Sequence, residues 1–279
     1  MILGIKDSGL LVFGPPVLSL SMVQKEFAVK VVSIVKDDPG VIGLAAGGSF
    51  ITGEMDEYSD LDLVLVTRNQ VSGDKENMIS VARKFGKLIT AFTGEHVGEP
   101  RLLICLFDDP LLHVDIKFLT LPEFYSRVED PVILFERDKG LTNVINTTTA
   151  TWPVPDLQWI EDRIWTWVHY LATKLGRGEL FECIDGLGFI RARVLAPLLQ
   201  LKHKIPANAL RKLEMRLTSE ELESLQSTIP DYDRHSIVLS LEKTIELYRS
   251  LRTQVFPASI GLHAHAEEKA MKYLNQLNS

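Results

Sequence analysis

Three aspartates and a glycine–serine pair have the types and spacing to do chemistry together. Asp60 and Asp62 flank Leu61 at the head of the apolar run Leu61–Val66. Side chains two apart on a strand point to one face. This spacing aims both carboxylates the same way and sends Leu61, Leu63 and Leu65 into a core. Adjacent ionised carboxylates repel each other, and among apolar residues each is costly without a counter-charge. A hard divalent cation such as Mg2+ supplies that charge and takes oxygen ligands. A third carboxylate stands in LLHVDIKF, where Asp115 lies between Val114 and Ile116. Three carboxylates can hold two ions about 3.5–4 Å apart, which activates an attacking oxygen and stabilises a leaving one.

A small-residue run ends at Gly47-Gly48-Ser49, and ten residues separate Ser49 from Asp60. Glycine lets backbone approach a phosphate closely, and the serine hydroxyl and nearby N–H groups can donate to its oxygens. Gly48 and Ser49 are therefore the candidate nucleotide-binding residues, and Asp60, Asp62 and Asp115 the candidate metal ligands. No Gly-x-x-x-x-Gly-Lys is present, which argues against a P-loop ATPase or kinase.

Composition limits the partners. The net charge is −7, and all of it falls in residues 1–150, with 21 acidic against 14 basic side chains; residues 151–279 balance at 16 each. No basic stripe appears, so nucleic acid is not an expected partner. No apolar run reaches the ~18 residues of a membrane span. Cys105 and Cys183 stand far apart without a His/Cys cluster, which disfavours a zinc site or a disulfide framework and makes a reducing cytoplasm the expected compartment. Residues 1–21 read as an N-terminal extension with Met22 near the functional start. For a signal peptide their charged start is weak, the Pro pair is awkward and no Ala-x-Ala site follows.

Apolar periodicity along the chain predicts the elements that must position these groups. Val23, Phe27, Val31, Ile34 and Val35 form a helical stripe that Asp37-Asp38-Pro39-Gly40 stops. Val41–Ala46, Leu61–Val66, Arg101–Phe107 and Leu111–Leu119 read as strands. Met78, Val81, Ala82, Phe85, Leu88, Ile89 and Phe92 recur at helical spacing and predict a single helix over 75–92. Strand signals vanish after Trp152, and Pro153 and Pro155 mark a boundary. Apolar stripes through Ile160–Leu175 and Leu180–Leu201, a capping box at Thr218–Glu221, and amphipathic runs at 237–255 and 264–277 predict a helical bundle. Trp159, Trp165 and Trp167 read as bundle core, and His263 and His265 as loop or helix-start residues. The fold class is α+β: a small mixed sheet with flanking helices over residues 22–150, then an all-α bundle over 151–279.

Gly48-Ser49, Asp60-x-Asp62 and Asp115 on a later strand together resemble the nucleotidyltransferase superfamily that includes DNA polymerase beta. The pattern looks most like the aminoglycoside and lincosamide adenylyltransferases, which join such a domain to a helical bundle. The motif covers roughly residues 41–120, and Pro131–Gly140 resembles the family's strand and Asp-Lys turn leading into the bundle. The acidic spacer with Glu54, Asp56 and Glu57 departs from the glycine- and arginine-rich loop of such relatives. The resemblance implies metal-dependent transfer of a nucleoside monophosphate, AMP from ATP, to a hydroxyl of a small molecule such as an aminoglycoside-like antibiotic, with two Mg2+ ions. It also implies a bundle carboxylate as general base, for which Glu182 is preferred and Asp185 stands second. Lys174 is the candidate triphosphate contact from the bundle, as a point charge; Arg191 and Arg193 are weaker ones. The competing readings are a protein-modifying or toxin–antitoxin nucleotidyltransferase and a non-catalytic nucleotide-binding module of this fold. A glycosyltransferase is disfavoured because no strand–helix repeats precede residue 60. Edge strands of a small sheet leave a monomer or a homodimer open.

Overall fold

The computed structural model describes residues 22–277; the N-terminal extension at 1–21 lies outside them. The chain forms two compact units that divide between Trp152 and Pro153. Among the described residues no helix is long and apolar enough to cross a membrane.

In the first unit, α1 (Met22–Val35) precedes β1 (Val41–Ala46), the one-turn α2 (Ser49–Thr52) and β2 (Leu61–Thr67). Then come α3 (Lys75–Arg83), β3 (Lys87–Gly94), β4 (Glu99–Asp108), β5 (Leu112–Thr120), the short α4 (Leu121–Phe124), β6 (Val132–Glu136) and α5 (Gly140–Thr147). The strands build one sheet in the order β3-β4-β5-β2-β1-β6. Only β2 and β5 pair in parallel; β1–β2, β1–β6, β3–β4 and β4–β5 are antiparallel. This is the expected mixed sheet.

Strand alternation sorts the side chains. Leu61, Leu63 and Leu65 of β2 and Val114, Ile116 and Phe118 of β5 are buried with Phe27 and Val31 of α1 and Met78 and Ala82 of α3. Burying such side chains contributes about 1.5–3 kcal/mol each. The opposite face carries a smaller cluster in which Ala45, Val66 and Leu119 pack on Phe124, Leu141 and Val144. Gly43 makes that packing possible, because a Cβ there would lie 2.5 Å from Leu141 Cδ1. Asp62 and Asp115 belong to this second face, at the end that the small cluster does not fill.

The single helix expected over 75–92 is a correction. The helix ends at Arg83, and Leu88, Ile89 and Phe92 lie on β3. Asp74 caps α3 by accepting from Asn77 N at 3.1 Å, and Phe85 is still buried. A turn at Lys84–Gly86 follows the helix. The following Leu-Ile-Thr-Ala-Phe-Thr is rich in β-branched and aromatic residues, which suit a pleated surface. Pairing with β4 from Lys87↔Asp108 to Gly94↔Glu99 satisfies the backbone of this segment, and that outweighs the helical spacing of its apolar residues. β6 and the turn after it follow the resemblance, with Asp138 and Lys139 both at positive φ (52° and 54°).

The second unit contains α6 (Leu157–Arg177), α7 (Leu180–Ile190), a π-helical turn at Arg191–Leu195, α8 (Ala196–Lys202), α9 (Ser219–Gln226), α10 (Arg234–Val255) and α11 (Ala264–Leu277). Ile160, Ile164, Val168, Leu171 and Leu175 of α6 share one core with Leu187, Val194 and Leu198. The predicted capping box forms: Thr218 Oγ1 accepts from Glu221 N at 3.3 Å, and Glu221 Oε2 accepts from Thr218 N at 3.1 Å. Trp165 is buried as expected, whereas Trp159 is exposed, stacking on Arg163 and edge-on to Trp167. Glu161 is buried inside this core. It is 1% exposed and accepts from Trp165 Nε1 (3.1 Å), His263 N (3.0 Å) and the Tyr248 hydroxyl, with Arg252 at 3.6 Å.

Candidate active site

The parallel register of β2 and β5 sets Asp62 opposite Asp115. Asp60, one residue ahead of β2, joins them: one carboxylate oxygen from each lies within 4.8 Å of the other two. All three residues are half-buried. Three converging oxygens form a hard donor set that fits a divalent, oxygen-seeking cation.

The glycine–serine turn abuts the trio. Gly47 N donates to Asp62 O at 3.0 Å, which fastens the end of β1 to the start of β2. Gly48 follows with φ 57° and ψ −134°, a conformation reserved for glycine. A Cβ on Gly48 would lie 2.2 Å from Asp62 Oδ2. Glycine is thus required twice, by the backbone and by the carboxylate beside it. Ser49 opens α2, anchored by the buried Phe50.

Two neighbours of the site were not singled out in the sequence. His113 Nε2 lies 2.9 Å from Asp115 Oδ1. Both residues project from the same face of β5 because they are two apart. Glu129, in the loop between α4 and β6, accepts a hydrogen bond from Gly48 N at 2.8 Å. Glu129 stands 81 residues from Gly48 in a polar loop, where no periodicity singles it out. His113 was detectable only through its i, i+2 relation to Asp115.

Nearby charges are matched elsewhere. Lys117, also on the face of Asp115, pairs with Glu99 at 2.7 Å. The Arg101 hydrogen bond, with Lys117 adding to it against the effect of burial, pulls the Glu99 carboxyl down to about 2. Burial, and secondarily the charge of Asp115, pushes the Cys105 thiol up to about 12, so Cys105 is no nucleophile at neutral pH.

In the helical unit, Glu182 and Lys174 meet through Tyr170. The Tyr170 hydroxyl donates to Glu182 Oε1 at 2.6 Å, and Lys174 Nζ lies 5.2 Å from the centre of the Tyr170 ring. Lys174 Nζ also donates to Glu179 Oε2 at 2.6 Å, a contact that raises its pKa. Asp185 is exposed. Arg191 is engaged structurally, donating to Thr228 O at 2.8 Å. His263 and His265 sit at the entry to α11 as expected, with His263 Nε2 2.9 Å from Asp162 Oδ1.

Residues 29–137, which carry the mixed sheet, the glycine–serine turn and the acidic trio, match the family model described as a nucleotidyltransferase domain. Among solved structures, the chain is similar to an aminoglycoside 6-adenyltransferase from Bacillus subtilis, at 17% identity and a TM-score of 0.39, covering 91% of this chain and 98% of that one. It is also similar to a nucleotidyltransferase-like protein from Exiguobacterium sibiricum, at 12% identity and a TM-score of 0.35, covering 88% and 78%. A spectinomycin adenyltransferase from Enterococcus faecialis, determined with ATP and spectinomycin, matches at 12% identity and a TM-score of 0.28, covering 92% and 99%. No curated protein matches the chain significantly.

Proposed function

We propose that this protein is a metal-dependent nucleotidyltransferase that moves a nucleoside monophosphate, AMP from ATP, onto a hydroxyl of a small molecule. The observation that carries the reading is the meeting of Asp60, Asp62 and Asp115 beside the Gly48 turn. Asp60 and Asp62 would hold two Mg2+ ions, and Asp115 the one on the acceptor side. Bound there, such ions would supply neutralisation of phosphate charge and activation of the acceptor oxygen.

The chain's own residues supply position. Gly48 and Ser49 would donate to the outer phosphates and fix the triphosphate. The acceptor oxygen bonds to the α-phosphorus, the bond from that phosphorus to the bridging oxygen breaks, and pyrophosphate leaves. The acceptor proton passes to a carboxylate, for which Glu182 is the choice; its Tyr170 hydrogen bond would orient it. In-line displacement of this kind depends mainly on positioning and charge stabilisation. In this reading residues 22–150 hold the nucleotide and residues 151–279 the acceptor, in a monomer or homodimer of the cytoplasm. The acceptor class, hydroxyl-bearing antibiotics of the aminoglycoside kind, follows from the sequence resemblance.

The test is a pyrophosphate-release screen of ATP, GTP and CTP against hydroxyl-bearing metabolites and aminoglycosides. The combined Asp60→Ala and Asp62→Ala variant should release none above background. Release at the wild-type rate would put the site elsewhere.

A further inference from the structure

The donor that the glycine–serine turn would offer a phosphate already has an anion on it. Glu129 Oε1 sits 2.8 Å from Gly48 N, and the same oxygen lies 3.0 Å from where a Cβ of Gly47 would be. It therefore lies across the turn, on the side where the Asp62 carboxylate also stands. We propose that Glu129 is a specificity-determining residue of this turn: a resident carboxylate that a nucleotide phosphate must displace from Gly48 N. This rests on the reading of Gly48 and Ser49 as the phosphate-binding turn.

The contact is built rather than incidental. Two residues before Glu129, Arg127 is nearly enclosed, with its side chain 5% exposed. It donates to Asp130 Oδ1 (2.6 Å), Thr148 Oγ1 (2.6 Å) and Thr148 O (3.0 Å), while Arg127 O accepts from Thr151 N at 3.0 Å. Three residues after Glu129, β6 begins and pairs with β1, with Val132 opposite Ala46. Both ends of the segment are pinned, so the Glu129 backbone stays beside the turn. The carboxylate is cleared by rotation of its own side chain rather than by movement of the loop.

The consequence is selection by charge. A charge-assisted hydrogen bond from a backbone N–H to a carboxylate is stronger than a neutral one, so a weak anion does not displace Glu129. A triphosphate arriving without cations meets Glu129 and the three aspartates as like charges. A triphosphate whose charge is met by cations held on Asp60, Asp62 and Asp115 experiences a smaller repulsion. Glu129 thereby favours the metal-loaded nucleotide over the bare one.

The experiment is calorimetric titration of the full chain with α,β-methylene-ATP, in Mg2+ and again in EDTA, for wild type, Glu129→Gln and Glu129→Ala. The Gln amide keeps an acceptor for Gly48 N and removes only the charge. Glu129→Gln is expected to bind the analogue about tenfold more tightly in EDTA, from the loss of one like charge a few ångström away, with a smaller gain in Mg2+. If wild type binds the analogue and Glu129→Gln binds it no more tightly in either buffer, the inference fails and the functional reading stands. Weakened binding by Glu129→Ala beside wild-type affinity for Glu129→Gln would make Glu129 a prop for the turn, and also overturns the inference. If none of the three proteins binds the analogue in either buffer, the functional reading falls and the inference with it.

Discussion

Replacing Gly48 with alanine tests the architecture of the site at its narrowest point. The backbone there, at φ 57° and ψ −134°, costs a residue with a Cβ about 1–3 kcal/mol. For a unit of this size that corresponds to a melting temperature lower by about 4–10 °C. The second effect is local. The new Cβ would stand 2.2 Å from Asp62 Oδ2, whereas real Cβ contacts stay above 3.0 Å, so the carboxylate must retreat by at least 0.8 Å (3.0 less 2.2). A ligand displaced that far no longer shares a cation with Asp60 and Asp115. Affinity for Mn2+, read by electron paramagnetic resonance as a stand-in for Mg2+, should fall by about 10–100-fold. Gly53→Ala is the matched control. Gly53 is also at positive φ (70°), but a Cβ there has nothing within 4 Å. It should lose about 1–2 kcal/mol of stability and keep its metal affinity. The reasoning is refuted if Gly48→Ala loses stability as Gly53→Ala does yet binds Mn2+ as wild type.

Two further outcomes test the surroundings. Glu161→Ala strands the Tyr248 hydroxyl, the Trp165 N–H and the His263 N–H, while Arg252 keeps Glu267; breaking such a buried charge network costs about 3–5 kcal/mol, or roughly 10–20 °C in thermal melting, and a drop of a degree or two would show the network to be dispensable. Glu99 is held at about 2 rather than 4.5, chiefly by its hydrogen bond to Arg101. Its contribution to stability is therefore complete above pH 4.5 and is lost as pH falls from 4.5 toward 2. Glu99→Gln should lose less melting temperature than wild type between pH 5 and pH 3, and parallel curves would remove Glu99 from the acid response.

Much of the site was legible in one dimension because strand geometry is local. The period of two that aims Asp60 and Asp62 together and buries Leu61, Leu63 and Leu65 needs no partner strand to be read. The same applies to the stripes of the bundle and to the Thr218–Glu221 box, where each contact spans three or four residues. The segment 87–94 shows the limit. Leu88, Ile89 and Phe92 fit a helical stripe and a strand equally well at that length, and the decision came from β4, which offered their backbone a ladder.

Residue types and spacing alone determined that a glycine–serine turn and three carboxylates were present on apolar strands. Tertiary structure decided that β2 and β5 would run parallel with Asp62 level with Asp115, since pairing direction and register are set by how whole faces bury. It also decided that Glu129 would lie on Gly48 N and that Lys117 would answer Glu99. Hydrogen-bond and charge pairing across a sheet depends on proximity in space, and the separation of 81 residues between Gly48 and Glu129 leaves no periodic trace in the chain.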